Sequence, residues 1–166
     1  NNMEVYNIHI QDPKVQINNF NFIVVPEHDR LEGENVIKSK GAIHYITDEE
    51  IQGAKALAIS KNVLTVILGG PNKYYSFSLE ELKRLFHKIE LLFLNRVEEI
   101  KIISSRRTPE SIVSFLRDRY KDNSKVIVDS SLFRKNYIEA LAQAKKIIVT
   151  SDSISMLSEA ATTGVP

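Results

Sequence analysis

The chain has 166 residues, 43% apolar and 26% charged, which is the make-up of an ordinary globular protein of one domain or one domain plus part of another. A formal net charge of +1, with Lys and Arg spread along the chain, argues against a nucleic-acid partner. There is no cysteine, and the four histidines follow neither HxxxH nor HExxH spacing, so thiolate chemistry is excluded and neither a metal nor a cofactor is expected.

The amino-terminal Asn1-Asn-Met-Glu carries no basic-then-apolar leader. No apolar run approaches the roughly 20 residues of a membrane span. The expected compartment is the cytoplasm, with peripheral membrane contact left open. Residues 5–10 alternate weakly, as a strand would. Phe22-Ile-Val-Val25 is a short buried strand ending at Pro26, and Val36-Ile37 suggests another. A helix from about Asp48 to Ile59 follows, capped by Thr47 or Asp48. Two or three strands do not close a core alone. Residues 1–61 therefore read as the C-terminal part of a first α/β domain and a linker.

From residue 62 the pattern becomes regular. Val63-Leu-Thr-Val-Ile-Leu68 is a buried-strand run closed by Gly69-Gly-Pro71. Ser78 predicts a helix start, with Glu80 and Glu81 where the dipole favours acids, and Leu82, Leu85, Phe86 and Ile89 at helical spacing. Ile100-Lys-Ile-Ile103, Val126-Ile-Val128 and Ile147-Ile-Val149 are three further strands. Between them fall a helix capped by Thr108 with Pro109 at its first position, and a helix through Tyr137, Ile138, Leu141 and Ala142. A last helix carries Met156, Leu157, Ala160 and Ala161 as its buried stripe and is closed by Gly164 and Pro166. Strand–helix alternation of this length predicts a Rossmann-like parallel sheet with helices on both faces. Residues 62–166 read as that domain, cut at its C-terminus.

Ligands of such sheets bind beyond the carboxyl ends of the strands. Three loops there carry candidate chemistry. In the loop of Gly69, Gly70, Asn72 and Lys73, glycine amides can approach a phosphate and a lysine adds charge; the alternative is a plain tight turn. The spacing matches neither GxGxxG nor a Walker loop. Ser105, Arg106 and Arg107 suit an anion, unless one arginine is solvated and the other pairs with a carboxylate. Ser151, Asp152, Ser153 and Ser155 lead into a helix whose amides hold phosphate oxygens, and Glu159 leans back toward the same end, where it suits ribose hydroxyls; the alternative is simple capping. In the first segment, His28 sits in a loop beside Asp29 and is the candidate base or substrate contact.

Pro26-Glu-His-Asp29, Gly41-Ala-Ile-His44, Gly69-Gly-Pro-Asn-Lys73, Ser104-Ser-Arg-Arg-Thr-Pro109 and the run from Thr150 to Ala161 occur in an order that resembles the bacterial and plant mitochondrial-fission (elongated-mitochondria) family. The resemblance covers residues from about 5 to the end and is nearest to the bacterial members. For plant members it implies an adaptor recruiting a dynamin-like GTPase. Bacterial members are often labelled nucleoside-diphosphate-sugar epimerases. This chain has neither a dinucleotide fingerprint nor the Tyr-x-x-x-Lys pair of that chemistry. More distantly, Tyr137 to Ala142 and Thr150 to Pro166 are similar to the C-terminal domain of two-domain (GT-B) glycosyltransferases, such as the enzyme that adds GlcNAc to lipid I. That likeness implies a nucleotide-sugar-like small molecule in an interdomain cleft, ribose on Glu159 and diphosphate beside Ser151 to Ser155. The chain departs from it by carrying Ser-Asp-Ser-Ile-Ser in place of a glycine-bearing loop. The expected function is binding of a nucleotide-sugar or related phosphorylated ligand, glycosyltransferase-like if catalytic. The alternative is a non-catalytic interaction protein with a protein partner.

Overall fold

The computed structural model describes residues 5–166; the segment Asn1–Glu4, read above for a leader, lies outside the described residues. The chain divides into two units, Asn1–Tyr45 and Ile46–Pro166.

The first unit holds three parallel strands in the order β1 (Ile8–Ile10), β2 (Phe22–Pro26), β3 (Val36–Ser39). Only short 3-10 turns, Ile17–Asn19 and Glu27–Asp29, interrupt the connections. Asparagine side chains hold these connections in place. Asn35 Nδ2 donates to the carbonyls of Ile17 and Phe20 at 2.9 and 2.8 Å. Asn7 and Asn21 exchange backbone-to-side-chain bonds of 2.9 and 2.7 Å. Ile23 and Val25 are fully buried, whereas Ile8, Ile10 and Phe22 are exposed.

The second unit starts with α1 (Asp48–Leu57), followed by β4 (Val63–Leu68), α2 (Leu79–Phe93), β5 (Glu99–Ser104), α3 (Glu110–Tyr120), β6 (Val126–Asp129), α4 (Arg134–Gln143), β7 (Ala144–Val149) and α5 (Ile154–Thr162). Its strands are all parallel, in the order β6-β5-β4-β7. The central strand β4 is buried along its whole length, as its unbroken apolar run predicts. Leu64, Val66 and Leu68 meet α2 and α3 through Leu82, Phe86, Ile89, Ile112 and Leu116. Ile67 joins α1, α4 and α5 through Ile51, Ile138, Leu141 and Ala160. Each such fully buried side chain is worth about 1.5–3 kcal/mol. The one polar member of β4, Thr65, is satisfied by donating to the carbonyl of Ala140 at 2.8 Å. The unit is a Rossmann-like α/β fold.

Several local expectations change. Helix α1, read as part of the linker, packs through Ile51 among the side chains of α4 and α5 and so sits within the second unit. Thr47 and Ser78 each form a full capping box, with Glu50 and Glu81. Thr108 does not cap α3; Pro109 is the N-cap residue, and the Thr108 hydroxyl is engaged elsewhere. Strand β7 starts three residues before its apolar run because Lys145 and Lys146 extend it with exposed side chains. On α5, Ala160 is buried but Ala161 is exposed. The helix ends where Gly164 turns at φ 66.

Candidate functional site

Register brings the carboxyl ends of three strands level. Leu68 pairs with Ser104, and Ile67 with Val149. The next residues continue the ladder: the Ser105 amide donates to Leu68 O at 3.0 Å and the Thr150 amide to Ile67 O at 3.1 Å. Gly69, Ser105 and Thr150 therefore emerge side by side. Because β5 lies on one side of β4 and β7 on the other, the strand order reverses here. In open α/β sheets such a reversal opens the crevice that takes ligands.

A single carboxylate dominates this crevice. The side chain of Asp152 is only 3% exposed. Its Oδ2 accepts from the Gly70 amide at 3.0 Å and from Arg107 Nη2 at 2.8 Å. Its Oδ1 accepts from the Thr150 hydroxyl at 2.6 Å, while Thr150 Oγ1 itself accepts from the Gly69 amide at 2.8 Å. Asn72 Nδ2 donates to Asp152 O at 2.9 Å, and Asn72 Oδ1 turns its own loop by accepting from the amides of Tyr74 and Tyr75 at 2.7 and 3.0 Å. On the other side, Thr108 Oγ1 accepts from the Ser105 amide at 2.9 Å and donates toward the carbonyls of Gly69 and Leu68 at 2.6 and 3.0 Å.

These contacts explain both glycines. A Cβ on Gly69 would lie 2.0 Å from Asp152 Oδ2, and one on Gly70 would lie 2.0 Å from the Arg107 carbonyl oxygen. Six of the residues that the sequence assigned to a ligand are therefore in close contact with one another. Gly69, Gly70, Asn72, Ser105, Arg107 and Asp152 form one connected network. Arg106, exposed, makes no hydrogen bond or ion pair among the described residues. Lys73 is exposed and lies 4.6 Å above the Tyr74 ring. Ser151 and Ser155 are exposed, and Ser153 makes no capping bond, so no side chain caps the first turn of α5.

Glu159 is half-buried one turn into α5. Its Oε2 accepts from the Tyr137 hydroxyl at 2.8 Å, which leaves Oε1 without a partner among the described residues. The sequence placed Tyr137 on a helix, in the stretch that resembles the GT-B domain, and offers no local signal for this bond. Thr108 and Thr150 were likewise undervalued. Thr150 directly follows β7, whereas Thr108 lies four residues beyond β5 and turns back to the end of β4. Beside the crevice, a cleft of about 350 Å³ is walled by Tyr75, Phe77, Leu82, Leu85 and Ile148 and shares Thr150 to Asp152 with the network.

The loop after β6 is also tightly built. Burial pushes the Asp129 carboxyl up, but bonds from the Ser131 hydroxyl, the Ser131 amide and the Asn136 side chain more than offset this and hold it below the usual range. Arg117 donates to the Ser130 hydroxyl in the same loop. Within it Leu132 adopts φ 60, and Leu132 and Phe133 are 56% and 68% exposed. In the first unit, His28 occupies the turn after β2 and lies 3.6 Å from Asp29. Among the described residues no cluster of three or more His, Asp or Glu side chains is arranged to hold a metal, and no helix is long and apolar enough to cross a membrane.

The fold and the crevice define a Rossmann-like α/β protein whose polar groups gather at a topological switch point. The chain belongs to the mitochondrial fission ELM1 family, whose sequence profile matches residues 1–166. It is similar to the uncharacterized protein RP120 of Rickettsia prowazekii, at 35% identity over 84% of this chain and 41% of that protein. It is also similar to the mitochondrial fission protein ELM1 of Arabidopsis thaliana, at 25% identity over 98% of this chain and 44% of that protein. The chain thus spans less than half the length of either relative. No solved structure matches.

Proposed function

We propose that this chain forms the crevice of a protein that binds a nucleotide-sugar or related phosphorylated ligand, with GT-B-type glycosyl transfer as the reaction it serves. The observation that carries the reading is the convergence of hydrogen-bond donors at the strand-order reversal. An amide, a hydroxyl and a guanidinium there surround a carboxylate, which is the chemistry of an anion site. In this proposal Arg106, Lys73 and the first turn of α5 hold phosphoryl oxygens, with Ser151, Ser153 and Ser155 lining the approach. Oε1 of Glu159 accepts from ribose hydroxyls while Tyr137 fixes the carboxylate. The cleft walled by Tyr75 and Phe77 takes an uncharged part of the ligand.

In transfer, an acceptor hydroxyl attacks the anomeric carbon as the bond to the diphosphate breaks. Arg106 and the α5 amides stabilise the leaving diphosphate, and the acceptor's proton passes to a general base. Calorimetric titration of the intact protein with UDP-, GDP- and ADP-sugars tests the proposal. At least one should bind saturably, and Arg106→Ala and Glu159→Ala should each weaken it about tenfold or more. Failure of all three to bind sinks it.

A competing reading, a non-catalytic interaction protein, draws on Leu132 and Phe133, which a hydrogen-bonded loop leaves exposed, Leu132 in a conformation disfavoured for leucine. It predicts a protein partner lost on Phe133→Ser. An ordered nucleotide in the crevice counts against it.

A further inference from the structure

The carboxylate of Asp152 occupies the position that a ligand's anion takes in an amide-lined crevice. It is buried, and the Gly70 amide, the Thr150 hydroxyl and the Arg107 guanidinium all donate to it. It also fills the space above Gly69 so closely that not even a methyl group fits there. Nothing local in the sequence requires this arrangement. Gly70 and Arg107, which donate to Asp152, are 82 and 45 residues from it along the chain.

We infer that Asp152 is an internal anion and the specificity-determining residue of the crevice: it fills the Gly70–Arg107 donor set, bars phosphoryl groups from it, and leaves ligand anions only Arg106, Lys73 and the first turn of α5. The inference rests on reading the crevice as a ligand site. Its physical basis is charge. A phosphoryl oxygen set beside a buried carboxylate is repelled in a poorly screened environment, and a phosphoryl group seated on the Gly70 amide has to expel a carboxylate already held by three donors. The predicted ligand class is accordingly one whose phosphate charge lies toward α5, with Glu159 beside it, and away from the end of β4. Free pyrophosphate, with its dense charge and no further handle, is a poor ligand of the native protein.

Replacing the charge reverses this. Asp152→Asn keeps an oxygen that accepts from Gly70 and releases Arg107 to a ligand. Calorimetry with inorganic pyrophosphate on the intact protein should show affinity rising about tenfold or more over native. Adding Arg107→Ala in that background should remove the gain. Asp152→Ser, which retains a small acceptor, should behave alike and provides a second folded variant. Equal or weaker pyrophosphate binding in folded Asp152→Asn and Asp152→Ser proteins overturns the inference. The two proposals fail separately. Pyrophosphate gain in the variants without nucleotide-sugar binding by the native protein defeats only the proposed function. Nucleotide-sugar binding that depends on Arg106 and Glu159, without pyrophosphate gain, defeats only the role of Asp152.

Discussion

Two arginine–carboxylate pairs in the second unit resemble each other in chemistry and differ in setting. Glu90 on α2 receives Arg119 of α3 through two parallel bonds of 2.7 Å, with the Tyr120 hydroxyl adding a third at 2.6 Å. All its partners are side chains of one neighbouring helix, away from the carboxyl ends of the strands, and the pair fastens α3 to α2. Asp152 instead gathers a backbone amide, a hydroxyl and a guanidinium from the loops after three different strands. A helix–helix fastener needs only two long side chains that reach each other. A carboxylate held by a glycine amide at a switch point needs the chain to withhold Cβ atoms at two successive positions. That added requirement sets the Asp152 pair, proposed above as part of a site, apart from the Glu90 pair, which belongs to the packing.

The contrast breaks most sharply at the glycines. Gly70→Ala drives a methyl into the Arg107 backbone carbonyl, which cannot rotate away, and is expected to cost about 3 kcal/mol or more, read as a large fall in the denaturation midpoint. Next comes Asp152→Ala, which strands the Gly70 amide and the Thr150 hydroxyl and should cost about 2–3 kcal/mol in urea unfolding. Glu90→Gln should cost less, about 1 kcal/mol, because Arg119 and Tyr120 keep a neutral acceptor and partial solvation. A native-like stability for Asp152→Ala would erase the distinction drawn here.

Acid sharpens the same comparison. The Arg119 guanidinium holds the Glu90 carboxyl below its ordinary value of 4.5, against a smaller opposing effect of burial. A lowered folded value means that the unfolded chain takes up the proton first. The contribution of Glu90 is then complete above about pH 4.5 and disappears as pH falls through the lower folded value. The stability gap between native protein and Glu90→Gln should accordingly close on acidification in that window, as followed by urea midpoints. A gap that widens toward acid contradicts the assignment. The smallest effect belongs to Tyr137→Phe. It removes one hydroxyl from Glu159 and should change stability by no more than about 1 kcal/mol, while weakening any ligand held by Glu159.

Elements whose signals are local were legible in the sequence. The run 63–68, bounded by glycine, became β4 with those limits, and Ser78, read as a helix start with acids after it, became the N-cap of α2. Thr108 misled because Thr-Pro reads as a helix start, whereas its hydroxyl is drawn back to the end of β4. The glycines at 69 and 70 were read as a place where a phosphate approaches the backbone, or as a plain tight turn. What approaches them is Asp152 and the Arg107 carbonyl, and no spacing in the chain announces contacts formed between the loops of separate strands. Of the two arginines, composition could not say which would be engaged. The fold commits Arg107 and leaves Arg106 open.

The central claim is that the crevice at the β4–β7 reversal is an anion-binding site whose own carboxylate sets its reach. A crystal structure of the intact protein grown with saturating nucleoside diphosphate tests it most directly. The account predicts phosphates beside Arg106 and the first turn of α5, ribose on Glu159, and the bonds from Gly70 and Arg107 to Asp152 unbroken. Phosphates seated on the Gly70 amide with Asp152 displaced, or a crevice left empty while the ligand binds elsewhere, would contradict it.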